Sequence, residues 1–202
     1  MKIGIIGGSV YAGVELLRLL ATRDDIEIVF VSSRAQAGSA VCELFPSLRG
    51  HVDLKFSNPD NVAESGCDLV FFATPNGTAM KQAPALLEKS AKVVDLSADY
   101  RMKDIDVWEK WYGMTHESAQ WIQGAVYGLP EMYRDQMRQA QLVANPSMCR
   151  LAVHQPQDRK TAAVLAIEDN LVKGAAGKAV QNVNLMLRFP EIKGLMQVAV
   201  MP

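Results

Sequence analysis

Three cysteines in 202 residues (Cys42, Cys67 and Cys149) are too scattered, and of the wrong parity, for a disulfide framework or a thiolate metal cluster. An excess of charge of one sign is also missing. Twenty-one basic and 22 acidic side chains leave a formal net charge of -1, with both signs interspersed. That excludes the basic face of a nucleic-acid binder and the polybasic patch of a membrane-surface protein. No apolar run approaches the ~18 residues of a membrane span. The opening stretch Met1-Lys2-Ile3-Gly4-Ile5-Ile6-Gly7 is too short for a signal peptide and breaks into glycines. A cytoplasmic setting and a small-molecule partner are therefore expected.

What is present is ordinary globular composition, 49% hydrophobic and 21% charged, at about the length of one domain. Apolar runs of strand length recur at Lys2 to Ile6, Ile26 to Val31, Asp68 to Ala73, Lys92 to Leu96, Ala140 to Ala144 and Thr161 to Ile167. Helical patterns follow several of them, over Gly13 to Thr22, Gly77 to Lys89 and Leu171 to Leu187. Strands alternating with helices predict an α/β fold: a Rossmann-like, doubly wound, mostly parallel sheet covered on both faces. Arg34 to Pro59 reads as a long excursion between strands. Asp99 to Leu129, with Trp108, Trp111, Tyr112, Trp121 and Tyr127, reads as a packed aromatic-rich insertion. His51 and His116 fall in loops with no evident pairing partner.

The most informative stretch is Ile6-Gly7-Gly8-Ser9-Val10-Tyr11-Ala12-Gly13, between the first strand and an amphipathic helix. Glycines there let backbone N–H groups approach a pyrophosphate, and the helix N-terminus adds its partial positive charge. Gly7 is expected to make the tight turn and Gly13 to let the helix pack close. Val10 occupies a middle position that often holds glycine, and its Cβ is expected to crowd the phosphates. The second strand ends Ser32-Ser33-Arg34, without the acid that binds a ribose 2′-hydroxyl. Two hydroxyls and a guanidinium suit a 2′-phosphate, so the expected cofactor is NADP rather than NAD. The loops after the next two strands, Thr74-Pro75-Asn76-Gly77 and Ser97-Ala98-Asp99, are expected to complete the crevice, with contacts from Thr74, Pro75 and Ser97. Turn chemistry alone also accounts for Pro75-Asn76-Gly77, and helix capping for Ser97.

Taken together, these motifs resemble the N-acetyl-γ-glutamyl-phosphate reductases of arginine biosynthesis. The resemblance rests on the glycine loop continued through Leu16-Leu17-Arg18-Leu19-Leu20, on Ser32-Ser33-Arg34, Phe72-Ala73-Thr74-Pro75, Asp95-Leu96-Ser97-Ala98-Asp99-Tyr100-Arg101 and Tyr127-Gly128-Leu129-Pro130-Glu131, and on Glu168 to Gly177 with Gln181-Asn182. It implies reduction of an acyl phosphate with NADPH through a cysteine thioester, a histidine handling protons, and Asn170 among the cofactor contacts.

The departures bear on function. The family has glycine where this chain has Val10, and typically histidine at Asn76. Its catalytic cysteine lies in Asn-Pro-Gly-Cys-Tyr-Pro, whereas here the text reads Asn145-Pro146-Ser147-Met148-Cys149-Arg150. From Cys149 onward the sequence resembles a strand near the family's C-terminus. The resemblance therefore implies that a middle domain, with the catalytic histidine and most subunit contacts, is missing. The expected product is a single NADP-binding domain built from 1–146 and a returning strand-helix segment 161–190, joined by a linker over 147–160. It is expected to lack chemistry of its own, with Cys149 as a remnant strand residue and His154 as a surface residue near a proline rather than a general base. Two alternatives stand beside it: a compact reductase using Cys149, and an interaction module in which Val10 blocks the cofactor.

Overall fold

The structure, a computed structural model, describes residues 1–146, 148–154, 163–169 and 175–196, with 148–154 and 163–169 described as backbone. Six strands form one sheet: β1 (Lys2–Ile6), β2 (Glu27–Ser32), β3 (Leu69–Phe72), β4 (Lys92–Asp95), β5 (Val126–Tyr127) and β6 (Leu142–Ala144). Their order is β2-β1-β3-β4-β6-β5, and every neighbouring pair is parallel. The chain leaves β1 toward β2 on one side and returns to β3 on the other. This reversal opens a crevice at the carboxyl ends of β1 and β3.

The strands read as continuous apolar runs because both faces are covered. In β3, Leu69 and Phe71 belong to one core while Val70 and Phe72 belong to the other, and all four are buried. The first face is closed by α1 (Tyr11–Leu20), through Leu16, Leu17, Leu19 and Leu20, and by α6 (Gly177–Met186), through Val180 and Val183. The second is closed by α3 (Ala79–Glu88), through Met80, Ala83, Leu86 and Leu87, and by α4 (Ile105–Tyr112), through Trp108. Short α2 (Val41–Leu44) lies in the excursion after β2, and α5 (Pro130–Met137) follows β5.

Several expectations change. The linker region contains a strand, β7 (Met148–His154), paired antiparallel with β8 (Ala163–Asp169) in a separate two-stranded sheet. An apolar run specifies a strand but not its partner, so β8 was legible while its pairing was not. Of the returning helical pattern Leu171 to Leu187, the part from Gly177 to Met186 is helix; residues 155–162 and 170–174, including Asn170, lie outside the described residues.

The aromatic insertion is packed around Trp108, although Trp111 is 78% exposed. Trp108 donates from Nε1 to the Ala98 carbonyl at 2.9 Å. His116 corrects the reading of an unpaired loop histidine. It is buried, edge-on to the Trp108 and Tyr100 rings. Its Nδ1 accepts from the Ser118 N–H at 3.2 Å, which leaves Nε2 to donate to the Asp99 carbonyl at 2.8 Å. The residue that caps α4 is Asp104, whose side chain accepts from the Val107 N–H.

Candidate functional site

The glycine loop turns sharply because Gly7 has φ +84°, a left-handed conformation, and because a Cβ on it would stand 2.2 Å from the Ala73 carbonyl oxygen. Gly7 and Gly8 both donate to the Ser32 carbonyl, at 3.2 and 2.9 Å. The loop is thus pinned between the ends of β2 and β3. Gly13 lies in the first turn of α1, where a Cβ would meet the Gly7 carbonyl oxygen at 2.1 Å. Helix and loop therefore touch backbone to backbone. Val10 is the N-cap of α1, with φ -91° and ψ 165°, an extended conformation open to any residue. Its side chain caps nothing. Tyr11, Ala12 and Gly13 form the first turn, where N–H groups have no intrahelical acceptor.

The carboxyl end of β2 supplies hydroxyls. Ser9 Oγ and Ser33 Oγ share a hydrogen bond of 2.7 Å. Ser32 is fully buried, and its Oγ has no hydrogen-bond partner. Across the crevice Thr74 is half-buried, and its Oγ1, itself covered, also has no hydrogen-bond partner. An unpaired buried hydroxyl costs free energy, about 1–3 kcal/mol, so the two are polar groups in the crevice wall with hydrogen-bonding capacity left over. Arg34 follows at the rim, its side chain 74% exposed and its guanidinium 3.9 Å from the Asp60 carboxylate.

The loops after β3 and β4 are stitched to each other. The Asp99 carboxylate accepts from the Gly77 and Met80 N–H groups at 2.8 and 3.0 Å, and Asn76 Oδ1 accepts from the Ala98 N–H at 3.0 Å. Ser97 is buried there. Its Oγ accepts from the Asp99 N–H in a local turn, so it caps no helix. Asp95, at the end of β4, is wholly buried; its Oδ1 accepts from the Ser97 N–H while Oδ2 has no partner. Burial, and then the neighbouring Asp99 carboxylate, push its carboxyl up to about 7.

Gly7, Ser9, Val10, Ser32, Ser33, Arg34, Thr74 and Pro75 line one cavity of about 280 Å³, joined by Pro59 and Thr78. Tyr11, Ala12 and Gly13 sit beside it in the first turn of α1. Ser97 lies off it, in the β4 loop. A second cavity of about 650 Å³ adjoins the first through Arg34 and Thr78 and carries Asp60, Asn76 and Lys81. Thr78 and the Pro59-Asp60 pair carried no sequence signal, because long excursions bring them to Arg34. A further cavity of about 300 Å³, between the end of α1 and Val52 to Leu54, borders Ile26 to Ile28 at the start of β2, away from the strands' carboxyl ends.

The described cysteine side chains stand away from this crevice. Cys67 precedes β3, at the opposite end of the sheet, where burial pushes its thiol up and Ser65 donates to its Sγ. Cys42 lies in α2. Cys149 and His154 belong to β7, and their side chains lie outside the described residues. Among the described residues no three His, Cys, Asp or Glu side chains group into a metal site, and no helix is long and apolar enough to cross a membrane.

A parallel sheet with order β2-β1-β3-β4-β6-β5, a glycine turn pinned at its switch point and an open helix N-terminus define a Rossmann-type dinucleotide-binding domain. Residues 2–140 match the family described as the semialdehyde dehydrogenase NAD binding domain, and the chain belongs to that family. Its relatives narrow this further. The N-acetyl-gamma-glutamyl-phosphate reductase of Marinobacter nauticus is 56% identical over 153 residues, the N-terminal 76% of this chain but 44% of the relative. The enzyme of the same name from Laribacter hongkongensis is 34% identical across 341 aligned positions that span both chains. With 202 residues to fill 341 positions, a long internal part of that relative faces no residue here. Aspartate semialdehyde dehydrogenase II of Vibrio cholerae shares the fold, with a TM-score of 0.53 at 17% identity over 72% of this chain and 38% of that one. The chain thus carries the nucleotide-binding domain of an N-acetylglutamyl-phosphate reductase homologue, and a nicotinamide dinucleotide is that domain's class of cofactor.

Proposed function

We propose that this chain binds NADP(H) at the β1–β3 crevice and does not by itself reduce an acyl phosphate. The observation that carries the reading is the crevice wall: two buried, unpaired hydroxyls, Ser32 Oγ and Thr74 Oγ1, facing a glycine turn with no room for a side chain. The first-turn N–H groups of Tyr11, Ala12 and Gly13 would hold the pyrophosphate. Ser32, Ser33 and Arg34 would hold the adenosine ribose and its 2′-phosphate. Ser9 and Val10 would flank the phosphates, with Thr74 and Pro75 walling the other side. Ser97 would act through the β4 loop, and Asn170 would join from the returning segment. When bound, the cofactor supplies hydride. The chain's own residues fix where its nicotinamide end emerges.

The domain comprises 1–146 and the returning segment 161–190, and it works in the cytoplasm without nucleic acid. The family's cysteine segment diverges after Pro146, and the long alignment leaves the relatives' internal part unmatched. That supports the absence of the acyl-binding wall, of a competent nucleophile and of the usual subunit contacts. Titration of the chain with NADPH and NADH, followed by calorimetry, tests the reading. A charge-assisted phosphate contact of roughly 1.5–3 kcal/mol implies a tenfold to hundredfold preference for NADPH. Arg34→Ala narrows that gap. Equal affinities for the two nucleotides would overturn the assignment.

A further inference from the structure

The end of β2 lacks an acid in sequence but has one in space. Beyond Ser32, the chain returns alongside the strand. Ser57 donates its N–H to the Val31 carbonyl at 2.8 Å, and Ser33 donates to the Ser57 carbonyl at 3.2 Å. This zipper delivers Asn58, Pro59 and Asp60 to the rim of the crevice. Asn58 Oδ1 accepts from the Asp60 N–H and starts a 3-10 turn at Pro59. From α3, Gln82 Nε2 donates to Asp60 Oδ1 at 3.3 Å. The carboxylate so held stands 3.9 Å from the Arg34 guanidinium, both side chains largely exposed.

The pair is loose. At 3.9 Å and in solvent it is an ion pair without a hydrogen bond, and such pairs contribute little to stability. Either partner can turn to a ligand without giving up a hydrogen bond to the other. The two have opposite chemistry toward the same atom of a ribose. A guanidinium pairs with a 2′-phosphate, and a carboxylate accepts from a 2′-hydroxyl while repelling a phosphate.

Resting on the reading of the crevice as a nicotinamide-dinucleotide site, we propose that Asp60 is a specificity-determining residue, which lowers affinity for the 2′-phosphorylated cofactor and raises it for the unphosphorylated one. Arg34 and Asp60 form a ribose clamp of two signs. The chain's preference for NADP(H) is the difference between their pulls, so it is smaller than Arg34 alone would give.

The test is calorimetric titration of the intact chain with NADP+ and NAD+, for the wild type and for Asp60→Asn. Asparagine keeps the size and an acceptor for Gln82 and loses the charge. A unit charge a few ångströms from a phosphate, in near-bulk solvent, is worth roughly three- to tenfold in affinity. Asp60→Asn is therefore expected to tighten NADP+ by about that factor and to weaken NAD+ by roughly threefold or more. The NADP+ gain should shrink as salt rises to about 0.5 M, because the Debye length falls to about 4 Å, comparable to the separation of the charges. Asp60→Ala should move both affinities in the same directions. If the wild type binds both nucleotides and the variants leave their ratio unchanged, or shift both affinities alike, the role of Asp60 is wrong while the crevice reading stands. If the wild type binds neither, both fall.

Discussion

Gly13→Ala sets two effects of opposite sign against each other, and the structure decides between them. Gly13 is in the first turn of α1, where alanine is the better helix former by about 0.8–1.0 kcal/mol. Propensity alone therefore predicts a more stable protein. The added Cβ, however, would lie 2.1 Å from the Gly7 carbonyl oxygen, 2.8 Å from Gly8 Cα and 2.9 Å from the Gly7 carbonyl carbon. Ordinary contact begins near 3.4 Å, so the helix must retreat by about an ångström. None of these atoms is the free end of a side chain. The loop cannot yield either, because Gly7 and Gly8 are tied to the Ser32 carbonyl and Gly7 is wedged against Ala73. The helix cannot retreat freely, since Leu16, Leu17, Leu19 and Leu20 are locked in the core. Overpacking of this kind costs about 1–3 kcal/mol and exceeds the propensity gain. A loss of 1 kcal/mol corresponds to roughly 2–4 °C in a domain of this size. Gly13→Ala should thus lower the urea midpoint and the melting temperature and weaken nucleotide binding, because the first-turn N–H groups move. Gly124→Ala is the matched control. Its nearest atom, the Trp121 carbonyl oxygen, is 3.7 Å away, so that variant should be neutral or slightly stabilised. A Gly13→Ala protein as stable as the wild type, with unchanged binding, would refute the claim of backbone contact.

Two other outcomes follow from the same geometry. Asp95 titrates near 7 when folded and near 3.8 when unfolded. Its contribution to stability is therefore complete below about pH 4 and is lost as pH rises through 7, with a steepest slope on the order of 1.4 kcal/mol per pH unit. Asp95→Asn keeps an acceptor for the Ser97 N–H and should remove that slope, which urea midpoints measured from about pH 5 to pH 8 would detect; parallel profiles for the two proteins would count against it. The chain should also fail to reduce NADP+ with N-acetylglutamate semialdehyde and phosphate, because a thiolate, its base and an oxyanion site must converge within about 3–3.5 Å of the acyl carbon. NADPH formation that disappears in Cys149→Ser would show that a compact active site survives.

The parts of the molecule that were legible in the sequence are those fixed by local chemistry. The strand, glycine turn and leucine-rich helix from Lys2 to Leu20 are encoded by residues whose constraints are a few positions apart. The same holds for β3 and β4, whose apolar runs need no partner to be recognised. What escaped depends on distance along the chain. β5 is two residues long and exists because Val126 and Tyr127 pair with Val143 and Ala144. Helix α5 begins at Pro130, a first-turn proline that is a helix signal only once a helix is suspected. His116 reads as a loop histidine until Asp99 and Ser118 are brought to its ring. Asp60 is the clearest case at the site. The search for an acid near the end of β2 is a search in sequence, and this acid arrives through a backbone zipper at Ser57.

On the proposed reading, the placement of the two segments around the junction accounts for binding without chemistry. Among the described residues, every one lining the crevice comes from the part before Pro146. The part after the junction serves the fold. Helix α6 covers the part of the first face that α1 leaves open, and it is anchored by polar bonds rather than by its apolar stripe alone. Asn182 donates to the Gly128 carbonyl at 3.1 Å and to Asn145 Oδ1 at 2.8 Å, and the buried Lys178 pairs with Glu131 of α5 at 3.0 Å. Buried amides and a buried ammonium need specific partners, so they hold one docking position for the helix. An internal segment between Pro146 and α6 can therefore be absent without opening the core, and without touching the described residues that line the crevice. Chemistry makes a further demand, because a hydride acceptor must be held against the nicotinamide, and on the proposed reading the wall that holds it belongs to the unmatched internal part of the relatives.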